Sequence, residues 1–407
     1  MDLISNLDAE KEVKSLLGEN LSNERVLKEL SHFPKKNYIE ILIARKIAEY
    51  LNQHKEYYII RSNLSNLYVN YLLGITSLNP TEYNLPFELL FHKTSGNLQF
   101  DFNVSSEMRI ELYDYLKDVL GYKLKLGKTF VADRNYLKTL DYKFLIALDD
   151  TVDLNKDFRD LDTNKVITVN ILADERIDCI NRFISKYGLP KYDYLTNEKI
   201  NKELFVNHNI VGIASKSYSA VNNLLSLCDK EAYSFDTYVY IAGLLHGTFT
   251  YKYAINVLIT LKRIHDYPTS REKLYSLCLE YGLSEDEALE VCYYTRKNLT
   301  VRNKNKERWN DLCAKLPDYL VAYLNEVEYI FPLAHLIQFS KLEYLDLYYK
   351  MIAEDYYEIK LGNIQNIEEK LIKIEKEFAI QDNCILSEYY EEKIELLKEY
   401  KKIKERR

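Results

Sequence analysis

Leu98-Gln99-Phe100-Asp101-Phe102-Asn103-Val104 alternates apolar and polar side chains along its whole length. Successive side chains of a strand point to opposite faces, so Leu98, Phe100, Phe102 and Val104 share one face and Gln99, Asp101 and Asn103 the other. The pattern predicts a half-buried strand over 97–104 whose polar face carries any chemistry. Outward from it, Tyr57–Ile60 is a short apolar run rich in aromatic and β-branched residues and reads as a strand. Two more strands are expected at 143–148 (KFLIAL) and 165–172 (KVITVNIL). The acidic segment between them, DDTVDLNKDFRDLDTN, reads as loop.

Helical periodicity fills most of the rest. Residues 1–55 read as three helices, with faces of Val13, Leu16 and Leu17, then Val26, Leu27 and Leu30, then Ile39, Ile41, Ile43 and Ile47. His32-Phe33-Pro34 separates the second from the third. A helix is expected over 64–73, stopped by Gly74, and another over 107–120 through Met108, Leu112, Leu116 and Leu120. From about 175 onward the pattern is helical almost throughout. Ser284 with Glu287 forms a capping box that opens a helix over 285–297. Ile367, Leu371, Ile374 and Phe378, then Ile394 and Leu397, stand at heptad-like spacing. The stretch reads first as a helical hairpin or exposed helix, because so short a repeat does not require a coiled-coil partner. The fold class expected is α+β and mostly helical, a small mixed sheet followed by a large helical region.

Composition bounds the rest. A chain of 407 residues, 47% hydrophobic, has room for roughly two or three packed domains. The 37 Tyr and 15 Phe against 11 Gly and 7 Pro suit an ordered, helix-rich protein. The net charge of −7 argues against strong non-specific nucleic-acid binding, although a local basic groove can sit within an acidic total. Six cysteines form no CxxC pair, so a structural zinc site is not expected. No signal peptide is visible, and no apolar run reaches about 18 residues. A cytoplasmic, membrane-free setting is expected.

Arg61-Ser62-Asn63-Leu64-Ser65-Asn66-Leu67, then Val69 and Leu73-Gly74-Ile75-Thr76-Ser77-Leu78-Asn79-Pro80, resemble the "GSRGSVGSS…GIT-x-x-NP" segment of the PolC-type alpha subunit of bacterial DNA polymerase III, a family C replicative polymerase. The resemblance implies a phosphate cradle at Arg61, Ser62 and Ser65. Every glycine of that cradle is replaced here, and side chains at Ile60, Ser62 and Ser65 obstruct close backbone approach. Leu98–Val104 resembles the family's "PDIDLNF" strand, with Asp101 and Asn103 matching and Gln99 in place of the first carboxylate. Val166–Ala173 resembles "LLKLDILG", with Asn170 in place of the third. Two-metal phosphoryl transfer needs carboxylates to hold its ions, and Asp101 alone does not supply them. Asp174 and Asp178 are expected one and two turns into the next helix, poorly placed to substitute. Asp101 is therefore the one candidate metal ligand, and Mg²⁺ is expected only with residual activity; otherwise no cofactor is expected.

Further marks follow in order. Val131-Ala132-Asp133 matches the end of "YRAGTIGTVADK", with Leu124 at its arginine position, and the "HPGG" loop has no counterpart near 141–144. Ile241–Thr248 resembles "ISGLSHGT" and Tyr329–His335 resembles "YMFPKAHA"; His246 reads as a helix-end residue and His335 as a core histidine. Thr295-Arg296-Lys297-Asn298 stands at the basic "VRKGKG" segment. With Arg302, Lys304, Lys306 and Arg308 it makes the densest basic run of the chain. The resemblance implies DNA contact by Arg296, Lys297, Arg302, Lys304 and Lys306, where the plain reading is a solvated face. It covers roughly residues 40–360, without the exonuclease, PHP and helix–hairpin–helix elements of the family. It implies an N-terminal helical segment (1–55), a degenerate palm (56–180), helical fingers (181–350) and charged C-terminal helices (351–407). The function implied is an inactive polymerase homologue serving replication or repair, bound to primed DNA or a replisome protein, with a coiled-coil contact through 361–407. A scaffold or decoy that never touches DNA, and a residual nucleotidyl transferase, are the alternatives.

Overall fold

A computed structural model describes residues 6–61, 63–92, 98, 100–120, 124–130, 139–147, 152–153, 165–191, 193–213, 218–228, 233–247, 250, 267–296, 302–362, 366–379 and 384–406. The chain forms two compact units, Met1–Asn181 with Pro332–Gln338, and Arg182–Phe331 with Phe339–Arg407.

The first unit is built on a five-stranded mixed sheet in the order β1-β2-β5-β4-β3. The strands are β1 (Ile59–Arg61), β2 (Phe100–Val104), β3 (Leu124–Phe130), β4 (Thr139–Ala147) and β5 (Val166–Ala173). Only β2 and β5 run parallel; the other neighbours are antiparallel. The four strands expected from the sequence are present with shifted ends. The fifth, 124–130, is not legible in the sequence because Gly127 interrupts its short alternation. Of the acidic segment expected to be loop, only residues 152 and 153 are described.

Helices α1 (Asn6–Leu17), α2 (Glu24–Ser31) and α3 (Lys35–Gln53) share one core with the sheet. Val13, Leu17, Val26, Leu30, Ile41 and Ile47 share a core with Phe100, Phe102, Ile167, Val169 and Ile171. Leu16 and Leu27, expected at core positions, are exposed instead. The single helix expected over 64–73 is a 3-10 turn, Asn63–Asn66, followed by α4 (Tyr68–Leu72). Leu67 breaks it with extended backbone, and Gly74 at φ +68° terminates it, a conformation glycine adopts without strain. Two further helices of this unit are α5 (Glu88–Phe91) and α6 (Ser106–Leu120), the second packed on β5 and β3.

A buried carboxylate anchors the entry to β2. Glu40 of α3 accepts from the Leu98 backbone N–H (2.9 Å) and from Asn37 Nδ2 (2.7 Å), and Lys36 Nζ lies 3.3 Å away. Burial outweighs these partners and pushes its carboxyl up to about 7. Folding then binds a proton that the unfolded chain releases above its ordinary value of 4.5. The contribution of Glu40 to stability should therefore be full below pH 4.5 and fall as pH rises through 7, by roughly 3 kcal/mol at 1.36 kcal/mol per unit. Glu40→Gln keeps an acceptor for Leu98 without the charge. Urea melts from pH 5 to 8 should show a declining stability in the parent and a flatter profile in the variant; parallel profiles would rule this out.

Later helices are α7 (Glu175–Tyr187), α8 (Glu198–Phe205), α9 (Tyr218–Ser226), α10 (Phe235–His246), α11 (Arg271–Glu280), α12 (Glu285–Arg296), α13 (Lys306–Cys313), α14 (Asp318–Glu326), α15 (Leu333–Ile352), α16 (Tyr356–Leu361), α17 (Ile367–Ala379) and α18 (Cys384–Arg406). The capping box opens α12: Ser284 N donates to Glu287 Oε2 (3.1 Å) and Glu287 N to Ser284 Oγ (3.3 Å). The heptad-spaced segment forms a hairpin of α17 and α18, tied by Lys401 to Glu368 (2.6 Å). Ile394, Leu396, Leu397 and Tyr400 of α18 are buried in the second unit, whereas α17 buries no residue. Gly212, at φ +79°, is where Leu396 is seated; a Cβ there would stand 2.6 Å from its Cδ1. Beside it, Lys350 donates to Val211 O (2.7 Å) and Glu399 Oε2 (2.9 Å). No helix among the described residues is long and apolar enough to cross a membrane.

Candidate functional site

The sheet register lines up one row of polar positions. Arg61 pairs with Asp101, Asp101 with Asn170, and Asn170 with Lys143. Period-two alternation puts the apolar residues of β2 and β5 into the core and leaves Asp101 and Asn170 half-buried on the opposite face. Asn170 Nδ2 donates to Asp101 Oδ1, so the amide completes the carboxylate beside it. Arg61 Nε and Asn170 Oδ1 are buried without a hydrogen-bond partner. The row thus places Arg61, Asp101 and Asn170 on neighbouring strands. Gln99 and Ser62 lie outside the described residues.

Asn103, next along the same face, is committed elsewhere. Its Nδ2 donates to Asp174 Oδ2 (3.0 Å), and Arg176 Nη2 reaches the same oxygen (2.8 Å). Burial alone would raise the Asp174 carboxyl, but Arg176 and these hydrogen bonds outweigh it and bring it to about 2. Asp174 does not lie a turn into the helix, as expected. It stands just ahead of α7, with its own N–H on Val104 O (3.0 Å). Asp178 lies in the first turn of α7 and accepts from Ser106 N (2.7 Å) and Oγ (2.9 Å), holding the start of α6. Both acids serve the sheet-to-helix junctions. Among the described residues, no group of three or more His, Cys, Asp or Glu is placed to hold a metal ion.

The expected phosphate cradle is filled from within. Ser65 is fully buried, with Oγ 3.1 Å from Thr76 Oγ1, which also accepts from Gln338 Nε2 (3.2 Å). A hydroxyl so enclosed cannot meet a nucleotide phosphate, which corrects its assignment. At the start of α4, Glu29 receives Tyr68 N (2.9 Å) on Oε1 and Val69 N (3.0 Å) on Oε2. Arg25 Nε donates to the same carboxylate (2.6 Å), and its Nη2 donates to Asn66 O and Leu85 O (2.8 Å each). Burial pushes the Glu29 carboxyl up, while Arg25 and the two amides pull against it. A side-chain anion of the chain itself satisfies these amides. Glu29→Ala strips three donors of their acceptor and should cost about 3 kcal/mol in urea denaturation; a loss below a few tenths would show that water replaces it.

The basic run is partly structural. Arg302 is 3% exposed. Its guanidinium donates to Leu324 O, Val327 O and Glu328 O at the end of α14 and lies over the Trp309 ring (5.5 Å). Burial lowers its pKa from the ordinary arginine value. It cannot reach a DNA phosphate, which corrects that assignment too. Arg308 pairs with Glu290 (2.8 Å). Lys304 and Lys306 are exposed. Arg296 ends α12, and Lys297 lies outside the described residues. His246 closes α10, with its ring against Phe331 (5.6 Å) and Phe339 (5.9 Å), and His335 is buried.

Sequence reasoning does not find Glu29, Glu40 or the Asn103–Asp174 pair. Each has a partner nearby in the chain, but the contacts that give it a structural role, Tyr68 and Val69 for Glu29, Leu98 for Glu40 and Asn103 for Asp174, come from residues far along it.

No curated protein matches the chain. Residues 6–132, which hold the N-terminal helices and strands β1, β2 and β3, match the model of the bacterial DNA polymerase III alpha NTPase domain, and this part of the chain is related to that domain.

Proposed function

We propose that the chain is a catalytically inactive relative of the PolC-type palm and fingers, acting as an accessory or DNA-binding protein in DNA replication or repair. The observation that carries this reading is the Asn170 amide hydrogen-bonded to Asp101. Two-metal transfer needs two or three carboxylates converging on a pair of ions. Here the neighbour of Asp101 is a neutral side chain that presents a donor to it. An N–H repels a cation where a carboxylate would bind one, so this pair does not fit a Mg²⁺ pair. The internal carboxylate at α4 supports the same reading, since it occupies amides that face an anion. The domains keep the expected roles in this reading: a degenerate palm to about 180 and helical fingers to about 350.

DNA contact falls to Lys304 and Lys306, joined by positions 296 and 297. Fluorescence anisotropy with a labelled primer–template duplex across a salt series tests it, beside a nucleotide-incorporation assay with Mg²⁺ and Mn²⁺. The expected results are no incorporation and a salt-dependent affinity. Replacing both lysines by alanine should lessen the slope by about 0.9 for each phosphate that is no longer neutralised. Incorporation above a blank would overturn the proposal of inactivity. A second reading, a protein scaffold that mimics the polymerase without touching DNA, is favoured by the net charge of −7 and by the internal use of Arg302 and Arg308. Absence of duplex binding at low salt would select it.

A further inference from the structure

Two contacts draw the turn between α11 and α12 against the start of α14. Tyr281 and Tyr319 meet through their hydroxyls (2.9 Å), and Lys315 Nζ pairs with Glu287 (2.6 Å). Tyr281 and Tyr319 remain 41% and 37% exposed. Tyr319 stands edge-on to buried Tyr267 (5.8 Å), which packs on Tyr323 (5.2 Å), so the surface pair is backed by a rigid aromatic column. Exposed acids adjoin the pair in sequence: Glu280 precedes Tyr281, Asp318 precedes Tyr319, and Glu285 and Asp286 follow at the start of α12. The cation in this cluster, Lys315, is already paired with Glu287. Glu280 sits in the last turn of α11, where the helix dipole disfavours a carboxylate.

We propose that the Tyr281–Tyr319 surface with its acidic flank docks an arginine-bearing segment of a partner protein. Guanidinium groups stack on phenol rings and bind carboxylates in bidentate pairs, which is the chemistry this surface offers on both counts. Rigid tyrosines backed by a packed column contribute contact area at little entropic cost. The acids repel a nucleic-acid backbone, so this surface is distinct from the basic run at 304–306. The inference does not depend on the polymerase-like reading.

The test uses the full chain and short fluorescein-labelled peptides, one with arginines spaced by serine and leucine, one with lysine at the same positions, read by anisotropy at physiological salt. The arginine peptide should bind, and the lysine peptide about tenfold more weakly. Tyr281→Ala with Tyr319→Ala should weaken binding by about tenfold or more. Tyr281→Phe with Tyr319→Phe, which keeps the rings, should stay within about threefold. Glu280→Gln with Asp318→Asn should again lose about tenfold, while Glu19→Gln with Glu24→Gln in the first unit should change nothing. Circular dichroism verifies folding, and the phenylalanine and amide variants keep the test valid if the alanine pair unfolds. Failure of the arginine peptide to bind, equal loss from the first-unit variants, or a labelled single-stranded oligonucleotide that binds through the same tyrosines would each overturn the proposal. So would concentration-dependent self-association lost in the tyrosine variants, which would make the occupant a second copy.

Discussion

Asn170→Asp should destabilise the protein by about 2 to 3 kcal/mol in metal-free buffer and regain most of that loss in millimolar Mg²⁺. The parent pair is a donor and an acceptor on adjacent parallel strands, in direct register. The substitution removes the donor and sets two carboxylates side by side. Like charges at that spacing oppose each other, and the half-buried setting screens them less than open solvent would. A divalent cation relieves the repulsion by bridging the oxygens, and binding to the folded state alone stabilises it by mass action. The parent should show no comparable Mg²⁺ response. Urea melts with EDTA and with Mg²⁺, on both proteins, decide the matter. A variant indifferent to Mg²⁺ would mean that these two strands no longer hold the spacing of a metal-binding palm, and the relationship would then lie in the fold alone.

Arg302→Ala should be worse, at roughly 3 to 5 kcal/mol, because several buried carbonyls lose their donor at once. Leu324, Val327 and Glu328 carry carbonyls at or just beyond the end of α14, where helices leave acceptors without internal partners. A buried guanidinium is a strong partner for such a cluster, and the indole of Trp309 lies beneath it. Arg302→Lys keeps the charge but not the planar fork, and should recover less than half of the loss. Trp309 is the one tryptophan in the chain, so its fluorescence reports this corner directly during denaturation. A surface role for Arg302 would instead leave the melt unchanged and lower DNA affinity. That pattern would contradict the capping geometry.

The sequence and the structure agree where the signal is local. The capping box of Ser284 and Glu287 is closed within one helical turn, and the spacing alone identifies it. The alternation over 98–104 also suffices to place Asp101 on a polar face. What pairs with that face is another matter. β5 comes to lie beside β2 only after α6, β3 and β4 have intervened in the chain, an order that no spacing rule fixes. Ser65 and Arg302 mislead for the same reason. A serine in a turn and an arginine in a basic run look solvated, and only long-range packing shows that each is enclosed. Helical spacing sets Asp174 a turn too far into α7, because its own N–H bonds to Val104 and holds it at the strand end. The Arg25–Glu29 spacing reads only as a surface ion pair, since the two amide donors that bury Glu29 come from another element of the chain.

The seat that Gly212 provides for Leu396 has a consequence for biosynthesis. The second unit receives its closing helix from residues synthesised long after those that line the seat. Until α18 leaves the ribosome, Gly212 and the apolar residues around it stand open, and Lys350 waits for Glu399. A chain stopped anywhere before Leu396 should leave this seat open and Lys350 without its Glu399 partner.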